Sequence, residues 1–218
     1  MTAAELISHL ILPLQITDTV QSAQERMTEF KVTQLPVLRE GQFCGLIREE
    51  QLLHPAGDQL TTLDKELLQV FVSEGVHIYE LIMLMNKLQV DLLPVLDMNQ
   101  QYLGVVSFQE LLPAVSAMFA LRDPGGIIVL EISNRNNSLA HMAQIVEADN
   151  AQILSSYVQD FPDSTRMEVI LKINKTELSG IIASFERYNY LVKAVYNGTV
   201  ADNGTADRYN LLMSYLNV

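Results

Sequence analysis

The strongest constraint on this chain is that one of its phrases is written twice. From Leu92 to Leu111 it reads Leu-Leu-Pro-Val-Leu-Asp-Met-Asn-Gln-Gln-Tyr-Leu-Gly-Val-Val-Ser-Phe-Gln-Glu-Leu. An apolar run ends at Asp97, a polar turn follows, a second apolar run crosses Gly104, and Ser107 stands where a helix N-cap belongs. The earlier copy runs Leu35-Pro36-Val37-Leu38, a turn through Glu40 and Gly41, then Phe43 to Ile47 across Gly45. Pro36 and Pro94 lie 58 positions apart, Gly45 and Gly104 lie 59 apart, so the turn gained one residue. Upstream, Val20, Ala23, Met27, Phe30 and Val32 superpose on Ile78, Leu81, Met85, Leu88 and Val90. A repeat of this period predicts two copies of one supersecondary unit, neither able to cover its apolar face alone.

The order of elements follows from periodicity. Thr2 with Glu5 predicts a capping-box helix through Ile7 and Leu10, ended by Pro13. Leu12, Leu14 and Ile16 alternate as a short strand, and Thr17 to Thr19 cap a helix whose inner face is Val20, Ala23, Met27 and Phe30. Residues 54 to 58 read as a surface loop. The second copy opens with a helix carrying Leu63, Leu67 and Leu68, then a strand at 70 to 72. Its main helix places Ile78, Leu81, Ile82, Met85 and Leu88 inward. Pro113 predicts a break in the helix after Ser107, which resumes as Ala114 to Leu121. The simplest cover for two half-buried sheets is to pack them together about a pseudo-twofold axis.

Arg122-Asp123-Pro124-Gly125-Gly126 then marks a boundary, and the pattern changes. A strand at 127 to 132, a polar turn at 134 to 138, a helix face of Leu139, Met142, Ile145 and Val146, and strands at 153 to 158 and 167 to 173 come next. Thr176 caps a helix with Leu178, Ile181, Ile182 and Phe185 inward, and a strand at 191 to 195 closes the unit. That order is βαββαβ, a ferredoxin-like split βαβ. The division predicted is a first repeat at 1–60, a second at 61–121, a linker at 122–126, the βαββαβ unit at 127–197, and a loop with a tail helix at 198–218. The fold class is mixed α and β throughout.

Composition excludes several functions. With 14 basic and 26 acidic residues the net charge is −12, and residues 1–120 hold 6 of the basic and 15 of the acidic ones. That balance argues against nucleic acid as a partner, because phosphate-backbone affinity needs a basic face. A single cysteine, Cys44, excludes an intrachain disulfide framework and fits the reducing cytoplasm; within an apolar strand it reads as core packing. The opening residues lack the basic region of a signal peptide, and no apolar run approaches the ~20 residues that span a bilayer. His9, His54, His77 and His141 are scattered, and no phosphate loop, nucleophile elbow or metal-ligand spacing appears. An enzyme is not predicted, nor a metal or required cofactor.

The doubled apolar-Pro-Val-apolar strand (35–38 and 93–96), the glycine of the following strand and the helix after it resemble a tandem pair of CBS domains. That resemblance implies a regulatory module binding an adenine nucleotide (AMP, ADP, ATP or S-adenosylmethionine) between two copies. In that family the segment after the strand glycine reads apolar-Thr/Ser-x-x-Asp, the hydroxyl meeting phosphate and the acid holding ribose. The matching residues here are Ser107 and Glu110 in the second copy, Arg48 and Gln51 in the first. Ser107 keeps the hydroxyl, Glu110 is one methylene longer, Arg48 offers a planar cation to phosphate, and Gln51 keeps an acceptor. The bland alternative is that Ser107 caps its helix, Glu110 answers the helix dipole, and Arg48 pairs with Glu49 or Glu50 at the surface.

The βαββαβ unit resembles an ACT domain, a module that commonly binds amino acids at a subunit interface. Its Asp-x-Pro-Gly-x-Leu turn is matched by Asn134-Arg135-Asn136-Asn137-Ser138-Leu139, with the leucine kept and the acid, proline and glycine absent. Asn134, Asn136, Asn137 and Ser138 are thus the candidate amino-acid turn, and Asn137 can take the left-handed backbone a glycine would supply. The whole layout resembles acetoin-utilisation-type CBS-ACT regulatory chains. A non-enzymatic homodimeric sensor acting on a separate protein is predicted; a ligand-free assembly module, or an amino-acid sensor, are the alternatives.

Overall fold

The computed structural model describes residues 1–53, 57–132, 138–161 and 166–197. It divides into two compact units, Met1–Ala114 and Val115–Val218. The predicted tail helix beyond 197 lies outside the described residues.

In the first unit each repeat builds the same sheet. In the first copy β1 (Leu14–Gln15) lies parallel to β2 (Gln34–Arg39), which runs antiparallel to β3 (Gln42–Arg48). In the second, β4 (Val72–Ser73), β5 (Leu92–Leu96) and β6 (Tyr102–Ser107) repeat that order. Between β1 and β2 runs helix α1 (Val20–Phe30), with Thr19 Oγ1 accepting from Ser22 N at 3.1 Å. Its counterpart α2 (Ile78–Leu88) buries Ile78, Leu81 and Met85. Ile82, expected inward, is instead exposed, because it sits one position round from the stripe that the sheet can cover. Both helices end on a left-handed residue, Lys31 and Gln89, again 58 positions apart.

Equivalent residues meet where the pseudo-twofold axis passes. Thr33 N and Oγ1 both donate to Asp91 Oδ2, at 2.9 and 2.5 Å. Gln42 bridges its own equivalent, Gln101. Asp91 N in turn donates to the buried Gln34 Oε1 at 2.8 Å, so a cross-axis polar pair is satisfied where it would otherwise be costly.

The segments before each repeat are exchanged. Ser8, upstream of the first copy, forms a bridge with Val105 of β6, its N–H donating to Val105 O at 2.7 Å. Leu68, between the copies, forms the matching bridge with Leu46 of β3, its N–H donating at 2.8 Å. Two glycines permit this. A Cβ on Gly104 would stand 2.6 Å from Ile7 Cγ2 and 3.0 Å from Ser8 O; one on Gly45 would stand 2.6 Å from Leu67 Cβ. Both have φ near +150°, where a side chain is strained as well as crowded.

Several local expectations fail for physical reasons. The helix from Thr2 is a 3-10 turn over Ala3–Leu6, because Ser8 is taken up by bridging to β6 and Ile7 lies against Gly104. The predicted helix at 63–68 is a 3-10 segment, Leu60–Glu66, since Leu68 likewise joins β3. The strand expected at 70–72 falls at Val72–Ser73, where β5 offers its parallel partner. Pro113 does not break α3 (Phe108–Met118), which stays continuous with Leu111 and Ala114 buried. The ring deprives Gln109 O of its usual donor, but burial on both sides of it holds the helix.

The second unit is a four-stranded antiparallel sheet in the order β10-β7-β9-β8, with β7 at Gly126–Ile132, β8 at Ile153–Asp160, β9 at Met167–Ile173 and β10 at Leu191–Asn197. Helices α4 (Leu139–Ala148) and α5 (Ser179–Arg187) cover one face, giving the ferredoxin-like fold. Ile128, Leu130, Val169, Leu171, Met142, Val146, Ile181 and Phe185 form its core. Thr176 does not cap α5: the N-cap is Leu178, without a side-chain cap, and Glu177 Oε1 accepts from Ser179 N at 3.1 Å.

Gly104→Ala should therefore cost about 1–3 kcal/mol through crowding and strain, more than Gly41→Ala, whose Cβ would meet nothing within 4 Å. Urea unfolding measures both, and hydrogen exchange at Ser8 N should quicken only in the first. A second test concerns Cys44, whose thiol burial pushes up in pKa. Alkylation at neutral pH should be slower than for a free cysteine, since less thiolate is present.

Candidate functional site

The second-copy pair is brought together as a capping box. Ser107 is 3% exposed at the end of β6; its N–H donates to Glu110 Oε2 at 3.1 Å and its hydroxyl donates to the same oxygen. Ser107 Oγ also accepts from Gln109 N at 3.2 Å, so it caps α3 as its position predicts. Glu110 Oε1 has no hydrogen-bond partner among the described residues.

Beside this box lies a groove of about 490 Å³. One wall is the start of α3, through Gln109, Glu110, Pro113 and Ala114; the other is Met1, Glu5, Leu6 and Ile7. That second wall stands there because residues 1–8 are bound to the second copy: Ala3 N donates to Val76 O at 2.8 Å, and Ser8 pairs with Val105. Two carboxylates, Glu5 and Glu110, therefore line one groove. Hydrogen bonds from the Thr2 backbone, then from its hydroxyl, hold the Glu5 carboxyl below the usual range.

In the first copy the equivalent pair is spent differently. Gln51 Oε1 accepts from Arg48 N at 2.7 Å, and Gln51 Nε2 donates to Glu66 O at 2.7 Å. The amide thus ties the end of β3 to the 3-10 segment before the second repeat. Arg48 forms no ion pair with Glu49 or Glu50 among the described residues, and its Nε is buried without a hydrogen-bond partner. Tyr102 shows the same pattern: its hydroxyl is buried without a partner, and burial raises its pKa strongly.

Of the candidate amino-acid turn, Asn134, Asn136 and Asn137 lie outside the described residues. Ser138 caps α4, its Oγ accepting from His141 N at 3.3 Å. His141 is less isolated than its lone place in the sequence suggests. Its Nδ1 lies 2.9 Å from Tyr190 Oη, and its ring meets Tyr188 edge-on at 4.9 Å. Among the described residues there is no group of three or more His, Cys, Asp or Glu placed to hold a metal ion.

A doubled sheet with exchanged flanking segments, and a groove at the start of the helix after Gly104, define a regulatory ligand-binding module of two repeats. The CBS domain family model matches residues 3–56 and 68–117, so this chain carries a tandem pair of CBS domains. Among solved structures, it is similar to a CBS domain pair/ACT domain protein from Thermotoga maritima, at 24% identity over 53% of this chain and 96% of that one, with a TM-score of 0.47. CBSX2 in complex with AMP aligns at 18% identity over 52% and 95%, with a TM-score of 0.45. The CBS domains of a transcriptional regulator from Streptococcus pneumoniae align at 21% over 52% and 98%, with a TM-score of 0.46. No curated protein matches the chain. Among the described residues, no helix is long and apolar enough to cross a membrane.

Ser107→Ala removes both the cap and the hydroxyl that engages Glu110, and should lower stability by about 1 kcal/mol. Thermal unfolding measures it. Gln51→Ala should instead loosen residues 66–68, read as faster hydrogen exchange at Leu68 N, with the second copy unchanged.

Proposed function

We propose that this chain is a non-enzymatic sensor whose second-copy groove binds an adenosine-containing ligand, the adenine ring between Leu6, Ile7 and α3, and a ribose hydroxyl on Glu110 Oε1. The observation that carries the reading is that unpaired carboxylate oxygen, at the position where CBS domains place their ribose acid, on a groove that opens beside it. The groove's charge favours one member of the class. With Glu5 and Glu110 both lining it, a ligand bearing a positive sulfonium is held better than one bearing three phosphates. S-adenosylmethionine is therefore preferred to ATP, with AMP and ADP between them.

Ligand acts by population shift. The groove joins residues 1–7 to α3, so a molecule bound across it favours the arrangement in which the two are closed on each other. A homodimer relays the change. Tyr79 and Met83 on α2, and Phe108 and Leu112 on α3, form exposed apolar pairs one turn apart, and β8 has an unpaired edge among the described residues. The partner regulated is a separate protein, and the setting is the cytoplasm.

A thermal-shift titration with S-adenosylmethionine, AMP, ADP and ATP tests the reading. A ligand present at a hundred times its Kd stabilises the folded chain by about 2.7 kcal/mol. The expected order of stabilisation is S-adenosylmethionine first and ATP last, the effect disappearing in Glu110→Ala. Absence of any shift at millimolar ligand would overturn nucleoside sensing. It would favour the assembly reading, which the Gln51 amide, bonded within the protein at both Oε1 and Nε2, and the exposed apolar helix residues also support.

A further inference from the structure

The helical face of the ferredoxin-like unit carries a second groove, of about 170 Å³, between α4 and α5. His141, Gln144, Ile145 and Ala148 line it from α4; Ser184, Arg187 and Tyr188 line it from α5 and its C-cap. Every residue of it belongs to the second unit. Its chemistry is the opposite of the groove beside Glu110: a guanidinium, an imidazole, an amide and a hydroxyl converge, and no carboxylate lines it in a chain of net charge −12. Asp149, at the C-cap of α4, is paired with Lys175 Nζ at 2.6 Å.

The polar groups are held in place from behind. Arg187 Nη2 donates to Ser184 Oγ at 3.1 Å, setting the guanidinium against α5. His141 is fixed at Nδ1 by the phenol of Tyr190, itself 4% exposed, and by the edge of Tyr188. The remaining ring nitrogen, Nε2, has no hydrogen-bond partner among the described residues. Ile145, Ala148 and the Tyr188 ring supply an apolar surface beside this donor set. A planar cation, an amide and an orientated imidazole next to an aromatic wall suit a compact acid with one apolar side.

We propose that the α4/α5 groove is a binding site for a small aromatic or aliphatic carboxylate, with Arg187 and Gln144 on the carboxylate, His141 Nε2 orienting it, and Tyr188 against the apolar body. Benzoate is the probe, and benzamide, of the same shape without the charge, its control. Two-dimensional proton–nitrogen spectra of the full chain should show benzoate shifting the resonances of Gln144, Arg187 and the His141 ring, with benzamide leaving them in place. Arg187→Gln should weaken benzoate binding roughly ten-fold or more, the loss expected for a charge-assisted contact. Ser107→Ala/Glu110→Ala should leave it unchanged, which separates this site from the adenosine groove. Equal shifts from benzoate and benzamide would overturn the proposal, as would unaltered benzoate affinity in a folded Arg187→Gln. The wild-type comparison of the two probes stands whether or not the variant folds.

Discussion

The first unit depends on an exchange of backbone hydrogen bonds. Residues 1–8 complete the sheet of the second repeat, and residues 67–70 complete that of the first. Without them β3 and β6 would present unpaired edges over a half-buried core, and each edge would carry unsatisfied N–H and C=O groups. Gly45 and Gly104 matter for that reason above all: they are the points where an entering strand passes too close for a Cβ. The same exchange builds the groove beside Glu110, since one of its walls arrives from the far end of the repeat order.

Much of this was legible. The 58-residue offset placed the two hairpins, both main helices and Ser107 as a cap, because apolar spacing and turn chemistry act locally. It also implied a pseudo-twofold arrangement, which the meeting of Thr33 with Asp91 and Gln42 with Gln101 makes concrete. What escaped was non-local. Nothing in the spacing around Ser8 says that it pairs with Val105, so Glu5, Leu6 and Ile7 were missed as groove residues and their short helix was drawn too long. A clue was present in the apolar stretch from Leu6 to Leu14, more hydrophobic than a free leader to α1 requires. Pro113 misled for the complementary reason: propensity opposes a helix there, and burial of Leu111 and Ala114 outweighs it.

In the second unit the βαββαβ order was readable from alternation, and its sheet order follows once the strands are antiparallel. The groove between α4 and α5 was not readable, because it is made by two helices forty residues apart in sequence and by a tyrosine pair around Asn189. That residue adopts φ +60°, turning the chain so that Tyr188 faces His141 by its edge while Tyr190 reaches the imidazole nitrogen. The two grooves differ in sign, one lined by carboxylates and the other by cationic and neutral donors.

The exchange of flanking segments also bears on how the first unit can be assembled in time. As the chain emerges, the first repeat has its β3 partner only once the connector is made, while Ser8 must wait for Val105, nearly the whole length of the unit later. Closing so long a loop is entropically unfavourable and is repaid only when the second sheet is in place. The contact made by the first residues therefore closes a far longer loop than its counterpart between Leu46 and Leu68, and the groove beside Glu110 exists only once that loop is closed.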